Sequence, residues 1–440
     1  MMEEVIKFGG GMTGSFVTPI SQAALIVTVL LMFVLVRKGM IIVILLFAIL
    51  IPVGQQFYIG GVHLFIHRIV ILVGLIRLLL SKENAQKHRL AGGWNAIDTS
   101  FSLYVLIFAI AFSLLYQKLS AVIYQAGFIW DMLGGYFLMR LLIVDYEDIE
   151  LVLKCVSYIF SLIAVSMLIE QVYMINLFGY LGGQLAPELR GTSFRSIGPF
   201  QHSLAAGTAG ATAIPLFMFL WYRNRQRAVA ILGMIAATIM TITTHSSGPL
   251  LAYVAGIIAL LTWPQRKRMR FIRWTAAFSL LILHLMMKAP VWFLIARIDL
   301  TGSSSSYHRA NLVDKFIQNF SEWWLIGTRN SYSWGWDLWD IQNLFVSTGL
   351  GGGLAGLICF IAIFVYGFSM LGNASNGIID EQQERCLWTI GATLFSYMVA
   401  FMGVNLFDQM RLLWFMLLAI ISVATAPVLV TAKKLSSGAN

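Results

Sequence analysis

Uninterrupted apolar stretches of about 20 residues recur along almost the whole chain, and they limit the possible folds more than any other feature. A stretch of that length crosses a hydrocarbon core of about 30 Å as a helix. Strands of a membrane barrel would alternate apolar and polar residues, whereas the run AALIVTVLLMFVLV at 23–36 does not alternate. Only 11% of the residues are charged, against about 25% in soluble domains. The sequence therefore predicts an all-α fold, that of a polytopic helical membrane protein.

The apolar stretches predict about 12 to 13 transmembrane helices in a single integral membrane domain that covers residues 1–440. The predicted spans lie near 17–36, 40–58, 61–80, 98–116, 120–143, 152–173, 203–222, 228–244, 249–263, 274–293, 344–371, 387–405 and 412–432. Thirteen spans put the N-terminus outside and the C-terminus inside. The first two spans are joined only by Arg37, Lys38 and Gly39. If one of them is a half-span, twelve crossings remain and the N-terminus lies inside.

The net charge of +10 is concentrated in short loops between the predicted spans. The basic residues are Arg37 and Lys38; Lys82, Lys87 and Arg89; Arg223, Arg225 and Arg227; Arg266, Lys267, Arg268, Arg270 and Arg273; Lys433 and Lys434. With thirteen spans, all these loops lie on one side of the membrane. An excess of lysine and arginine is typical of cytoplasmic loops. The charge therefore predicts a lipid bilayer as partner and no nucleic acid. The start MMEEVIKFGGG lacks a basic n-region, so we expect no cleavable signal peptide.

Two longer loops fall on the predicted extracytoplasmic side, at 174–202 and at 293–343. The second loop is the only long polar segment, and it contains one predicted amphipathic helix. Its apolar positions after Tyr307 have helical spacing, at 312, 313, 316, 317, 320, 323 and 324. Arg309 has the same phase, which predicts that its side chain points toward the bundle. Trp323 and Trp324 are expected at the membrane interface.

Arginines in both outer loops are candidate ligands for a phosphate group. They are Arg190 and Arg195 in the first loop and Arg309 in the second. Arginine forms bidentate hydrogen bonds to phosphate and keeps its charge. Arginines from two loops are therefore suited to binding a lipid-linked diphosphate. The alternative is that they face water or lipid headgroups.

Histidines at the outer side are candidate proton acceptors, because histidine takes up a proton near neutral pH. His308 adjoins Arg309, and His202 ends the first outer loop. The alternative is a polar cap at a helix end. His245 lies in the sequence TTHSSGP, which predicts a turn between two spans.

Polar residues at the end of the second outer loop form a third group, Asp337, Asp340, Gln342 and Asn343. Asn343 precedes a span and is suited to capping it. Asn343 and His202 are also candidate substrate-binding residues. A carboxylate such as Asp340 at the bilayer edge is costly unless it is paired or functional. The outer side offers too few carboxylates for a divalent metal, so we expect no metal and no cofactor. The following run GLGGGLAGL, at 349–357, predicts close helix packing.

Four short motifs together resemble the superfamily of O-antigen ligases and O-antigen polymerases of the bacterial envelope. The first is an arginine before Gly-Pro-Phe-x-His, from Arg195 to His202, and the second is TTHSSGP at the start of a span. The third is Tyr-x-Arg at 307–309, followed by a glycine-containing turn at Gly327. The fourth is the entry from Asn343 into the glycine-rich span. The resemblance covers roughly residues 60 to 430.

This resemblance implies an inverting glycosyltransferase in the bacterial cytoplasmic (inner) membrane, with its site at the extracytoplasmic face. Such an enzyme moves a glycan from an undecaprenyl-diphosphate-linked oligosaccharide to an acceptor hydroxyl, and Arg195 and Arg309 take the arginine roles. Ligases of the superfamily tend to carry His-Asn where this chain has Gln342-Asn343. Glutamine is no base at neutral pH, which favours a polymerase of an exopolysaccharide, capsule or O-antigen repeat.

The sequence leaves several functions open. The alternatives are O-antigen ligase-type transfer, a flippase for lipid-linked sugars, and a non-catalytic subunit that works with other polysaccharide assembly and export proteins. Flippases usually have broken helices and polar groups near the bilayer midplane, whereas polar residues here concentrate in two outer loops. For an enzyme, the candidate proton acceptors are Asp340 and His308. Asp340 is slightly favoured, because it lies in the same segment as Gln342, which stands where ligases of the superfamily tend to carry histidine.

Overall fold

The computed structural model describes residues 14–60, 62–80, 90–191, 193–223, 226–297, 305–335, 338, 340–407 and 409–437. This part of the chain is mostly helical. Its helices are α1 Pro19–Val34, α2 Arg37–Leu50, α3 Ile66–Leu80, α4 Ala96–Tyr116, α5 Leu119–Ile129, α6 Gly135–Leu142, α7 Tyr146–Tyr173, α8 Ser203–Tyr222, α9 Arg227–Thr243, α10 Ser247–Leu261, α11 Met269–Met286, α12 Leu294–Arg297, α13 Ser305–Gln318, α14 Phe320–Trp323, α15 Leu344–Asn376, α16 Glu381–Ala400 and α17 Met410–Ser437. A π-helical turn at Trp130–Gly134 joins α5 to α6.

Within these residues, five helices are long and apolar enough to cross a membrane, and four shorter apolar helices accompany them. The long ones are Ala96–Tyr116, Tyr146–Tyr173, Ser203–Tyr222, Trp263–Met286 and Leu344–Asn376. Helix α8 is central, since 89% of its most apolar stretch is buried, whereas none of the corresponding stretch of 263–286 is buried. The fold is therefore compatible with a helical membrane protein in which α11 lies at the periphery.

Two short antiparallel hairpins interrupt the helical fold, and the sequence analysis did not anticipate them. The first pairs β1, Gln56–Ile59, with β2, Val62–Phe65. The second pairs β3, Glu188–Arg190, with β4, Ser193–Arg195. The first replaces the end of the predicted span 40–58 and the start of the predicted span 61–80, so both spans were predicted too long on these sides. Helix α2 instead ends at Leu50, shortly before a proline at position 52, which has no backbone N–H to continue it.

A buried ion pair ties α4 to α6. Arg140 donates from Nε and Nη2 to the Asp98 carboxylate, at 2.9 and 3.1 Å, and both side chains are fully buried. The Tyr136 hydroxyl donates to the same carboxylate. Since each charge has a partner, this cluster stabilises packing, and removing one partner would leave a buried charge. Arg140 therefore has a structural role.

The glycine-rich part of α15 is broken where the second outer loop packs against it. Gly353 has φ +64° and interrupts the helix. The backbone groups freed by the break are satisfied, because Leu354 N–H donates to Trp324 O (2.8 Å) and Thr328 N–H donates to Leu350 O (2.9 Å). The predicted close packing is present as well, with the Phe108 ring against Gly351. The helix break needs contacts from a distant loop, so the glycine spacing alone did not indicate it.

We expect Gly353→Ala to lower the free energy of unfolding by about 3 kcal/mol or more, because the new methyl group meets backbone at a strained φ. A Cβ built at Gly353 lies 2.5 Å from Leu325 O. The matched control in the same helix is Gly372→Ala, where nothing lies within 4 Å of the new atom. Thermal unfolding of both variants in detergent tests this. Equal melting temperatures would contradict the break at Gly353.

Candidate functional site

The β3–β4 hairpin carries two of the predicted arginines. Glu188 pairs with Arg195, and Arg190 pairs with Ser193. The turn uses Gly191, whose φ of +62° favours glycine. Arg190 is exposed, while Arg195 is only 6% exposed. One arginine of the hairpin therefore faces solvent and the other faces the protein.

The segment that follows Arg195 is anchored to the end of α7. The buried Glu170 carboxylate accepts hydrogen bonds from Ile197 N–H (3.1 and 3.2 Å) and Gly198 N–H (3.0 Å). Gln171 donates from Nε2 to Ser196 Oγ at 2.9 Å. Neither residue was among the candidate site residues named from the sequence. Their carboxylate and amide hold the backbone beside Arg195 in one position.

Helix α13 brings Arg309 into the bundle, as its helical phase predicted. The side chain is 8% exposed, and its Nη1 donates to Ser247 Oγ at 3.4 Å. A Cβ built at Gly248 or at Gly403 would lie 3.2 Å from an atom of the guanidinium. The absence of side chains at these two glycines therefore lets Arg309 lie between α10 and the residues after α16. Arg309 is thus held by shape, and within the described residues it has one weak hydrogen bond.

The aromatic end of this loop is more buried than predicted. Trp323 is 3% exposed, stacks on Phe316 with ring centroids 3.9 Å apart and donates from Nε1 to Phe316 O. Trp324 is 46% exposed, as expected of an interfacial tryptophan. Trp323 is therefore part of the packing between α13 and α15, because its ring covers Gly349.

The buried guanidiniums lack anionic partners. In the part of the chain that the structure describes, neither Arg195 nor Arg309 forms an ion pair, and Nε of each is buried without a hydrogen-bond acceptor. Burial lowers the pKa of both guanidiniums, and the positive charge of Arg190 lowers each pKa further. The negative charge of Glu188 partly opposes this lowering of the Arg195 pKa. The Glu188 carboxylate, however, already accepts a hydrogen bond from Ser203 N–H at Oε2 (3.1 Å). The positive charge of Arg190 therefore acts on both buried arginines, which come from two different loops.

His308 and Asp340, the two candidate proton acceptors, are in contact. His308 Nε2 lies 3.1 Å from the backbone oxygen of Asp340. A carbonyl oxygen can only accept, so this contact assigns the proton to Nε2 and leaves the Nδ1 lone pair available. The Asp340 carboxylate accepts from Gln342 Nε2 at 2.7 Å. The carboxylate of Asp340 is thus engaged by an amide, whereas Nδ1 of His308 has no hydrogen-bond partner among the described residues.

Asn343 caps α15, as its position directly before a predicted span indicated. Its Oδ1 accepts from Val346 N–H at 3.1 Å, and its Nδ2 donates to Met402 O at 3.0 Å. This second bond joins the end of the outer loop to the segment at 401–407. Asn405 in that segment donates to Ser347 Oγ at 3.2 Å. Asn343 therefore positions the loop, and nothing in its contacts shows a free group for a substrate.

The segment 401–407 was missed by the sequence analysis, although it lies beside Arg309 through Gly403. The sequence does contain a sign of this segment, because GVNLFDQ at 403–409 places a glycine and polar residues between two apolar runs. His202 lies against this segment, with its ring 6.0 Å from that of Phe407, and its side chain is exposed.

His245 adopts φ +44° in the turn between α9 and α10. Asp337 lies outside the described residues.

Among the residues that the structure describes, no group of three or more histidine, cysteine, aspartate or glutamate side chains is placed to hold a metal ion. A scan of the chain against protein-family models finds no match. A search of curated proteins finds no matching protein either. The assignment of a function therefore depends on the residues and contacts of the chain itself.

Proposed function

We propose that the chain is a membrane-embedded inverting glycosyltransferase that polymerises an exopolysaccharide, capsule or O-antigen repeat. The donor is an undecaprenyl-diphosphate-linked oligosaccharide, and the acceptor is a sugar hydroxyl. One observation carries the proposal: Arg195 and Arg309 are buried, come from two distant loops and have no carboxylate partner among the described residues. Burying unpaired charges is costly, so an anionic ligand would stabilise this arrangement.

A diphosphate has the right chemistry for this cluster. Each guanidinium presents a planar set of N–H donors that matches two phosphate oxygens. Two buried arginines and one exposed arginine offset the charge that a diphosphate leaving group carries. Among the described residues, Ser247 is the only hydrogen-bond partner of Arg309, so most N–H donors of this guanidinium remain available to a ligand.

His308 supplies the proton acceptor in this proposal. The acceptor hydroxyl attacks the anomeric carbon of the donor from the face opposite the diphosphate. The bond from that carbon to the phosphate oxygen breaks, and the diphosphate leaves with the electron pair. The hydroxyl proton passes to Nδ1 of His308, the nitrogen left free by the bond to Asp340 O. Asp340 remains the alternative acceptor, with its carboxylate held by Gln342.

The proposed orientation in the cytoplasmic membrane follows from the two ends of α8. The helix begins at Ser203, beside the anchored segment of Arg195, and ends at Tyr222. Arg223 and Arg227 follow that second end, where Arg385 lies over the rings of Tyr222 and Trp263. Short basic loops favour the cytoplasmic side, and this supports the proposal that Arg190, Arg195 and Arg309 lie at the extracytoplasmic face.

The break in α15 gives little support to the alternative that the chain is a flippase. Transporters use unwound helix segments to coordinate ions and substrates through free backbone groups. Here Leu350 O and Leu354 N–H at the break already bond to Thr328 and Trp324. The break therefore serves to dock the second outer loop against the bundle.

A transfer assay in vesicles tests the proposed function. We expect the purified chain, inserted into vesicles, to elongate undecaprenyl-diphosphate-linked oligosaccharide presented on the extracytoplasmic side, with a product ladder seen by gel. Movement of a fluorescent lipid-linked sugar across the bilayer without elongation would support a flippase instead. Absence of both activities, with binding to an export protein, would support the assembly subunit.

A further inference from the structure

The N-terminus of α10 is not capped by a side chain. The helix begins at Ser247, and the residue before it, Ser246, forms no capping hydrogen bond. Serine at this position usually accepts from a backbone N–H of the first turn, but the Ser246 hydroxyl donates instead to Thr244 O at 2.9 Å. The third residue of the helix is Pro249, which has no N–H. The open donors of the first turn are therefore the N–H groups of Ser247 and Gly248.

This helix end is buried in the protein. Ser246 and Ser247 are 4% and 7% exposed, and Gly248 is buried. Within the described residues, the N–H groups of Ser247 and Gly248 have no acceptor. Buried N–H groups are nearly always paired, so a buried helix end without partners is unusual. The dipole of this 15-residue helix also puts partial positive charge there, which favours an anion.

Arg309 points its guanidinium at the same helix end. Its Nη1 donates to Ser247 Oγ at 3.4 Å, and a Cβ built at Gly248 would lie 3.2 Å from its Nη2. The Nε of Arg309 is buried and has no acceptor among the described residues. Because Ser247 Oγ accepts from Arg309, the proton of that hydroxyl is left to donate, and no described residue accepts it. Two side chains and two backbone N–H groups therefore present donors at one place.

The turn before α10 also contacts the loop that carries Arg195. Ser196 N–H donates to Thr243 O at 3.1 Å, and Gln171 Nε2 donates to the same oxygen at 2.8 Å. The start of α10 is thus joined on one side to the segment of Arg195 and contacts Arg309 on the other. A ligand held by both buried arginines would meet this helix end.

We propose that the N-terminus of α10 binds one phosphate group of a lipid-linked diphosphate, through the N–H groups of Ser247 and Gly248 and the Ser247 hydroxyl, beside Arg309. The identity of the ligand rests on the proposed function. The helix adds backbone donors to a site otherwise made of arginine side chains. Because the helix fixes their direction, these donors hold the phosphate in one position.

Ser247→Pro tests the backbone donors. Proline suits the first position of a helix, and Ser246 has φ −120° and ψ 126°, the conformation preferred before proline. The change removes one N–H and the hydroxyl, so we expect the affinity for undecaprenyl diphosphate to fall by about 100-fold. Ser247→Ala removes only the hydroxyl and should lower the affinity by about tenfold. Native mass spectrometry of the full chain in detergent measures both.

The matched control is Ala96→Pro, which places proline at the first position of α4. The other end of α4 lies at the second outer loop, where Arg329 lies over the Tyr116 ring, so position 96 is remote from the proposed site. Its affinity for undecaprenyl diphosphate should stay within about twofold of wild type. An equal loss in this control would overturn the proposal.

Ser246→Asp separates binding from helix stability. Aspartate caps the helix and offsets its dipole, so the melting temperature should stay at or above that of wild type. The new carboxylate occupies the place of the phosphate, so affinity for undecaprenyl diphosphate should fall by about tenfold or more. Unchanged affinity in this variant would overturn the proposal. If Ser247→Pro does not fold, Ser246→Asp decides.

The outcomes distinguish this inference from the proposed function. Equal affinities of Ser247→Pro and Ser247→Ala, with binding lost in Arg309→Lys, would overturn the role of the helix and leave the diphosphate site intact. Binding that Ser247→Pro abolishes, in a chain that elongates no glycan, would support the helix site and refute the transferase. Inorganic pyrophosphate that binds as tightly as undecaprenyl diphosphate would overturn the assignment to a lipid-linked ligand.

Discussion

Arg309→Lys is expected to lower the rate of glycan transfer by about 100-fold or more while the protein still folds. Each charge-assisted hydrogen bond to a phosphate contributes about 1.5–3 kcal/mol, and lysine cannot reproduce the bidentate pair. The guanidinium is enclosed by Gly248 and Gly403 and is 8% exposed, so water cannot substitute for the lost donors. Initial rates in the vesicle assay measure the effect. Arg195→Lys should give a similar loss.

The control for the arginine variants is Arg329→Lys in the same outer loop. Arg329 is exposed and lies over the Tyr116 ring, at 4.9 Å. Its replacement should leave the rate within about twofold of wild type, as for most surface substitutions. Normal polymer from both Arg195→Lys and Arg309→Lys would rule out the proposed diphosphate site. Loss of polymer together with a lower melting temperature would point to a structural role of the arginine.

His308→Gln is expected to reduce transfer by about 100- to 1,000-fold, the usual contribution of a general base. Glutamine can keep the hydrogen bond from the Nε2 position to Asp340 O, which is 3.1 Å in the native chain. It removes the basic Nδ1. The change should therefore lower kcat and leave the affinity for the lipid-linked donor almost unchanged. Measuring kcat and KM separately distinguishes this from misplacement of the loop.

Asp340→Asn is the comparison variant, because asparagine still accepts from Gln342 but has no basic oxygen. If His308 is the base, Asp340→Asn should retain most of the transfer rate. The opposite result, with His308→Gln active and Asp340→Asn inactive, would assign the proton to Asp340, the residue that the sequence slightly favoured. Normal transfer by both variants and by the double variant would exclude both residues.

Local patterns predicted the helices well, because they depend on neighbours in the sequence. The end of α8 at Tyr222 and the start of α15 after Asn343 agree with the predicted spans. The helix carrying Arg309 also lies where its apolar spacing indicated. The first hairpin was missed, because strand pairing depends on a partner strand that the apolar pattern of one segment does not show.

The candidate site was only partly predictable. Arg195, Arg309 and His308 were singled out because a charged or titratable residue stands out in an apolar chain. Nothing local showed that Glu170 accepts from Ile197 and Gly198. The role of Gly403 beside Arg309 was equally hidden. These contacts join residues far apart in the chain, and one sequence carries no record of such pairs.

The amino-acid sequence by itself determined that this is a helical, apolar chain with its basic residues clustered between apolar stretches, because hydropathy and charge act on each segment separately. Only the tertiary structure decided which polar residues meet. Arg309 is buried because two distant glycines leave room for its guanidinium. Helix α15 breaks at Gly353 because Trp324 and Thr328 satisfy the backbone groups freed there. The cost of burying a charge or opening a helix depends on partners that only folding brings into contact.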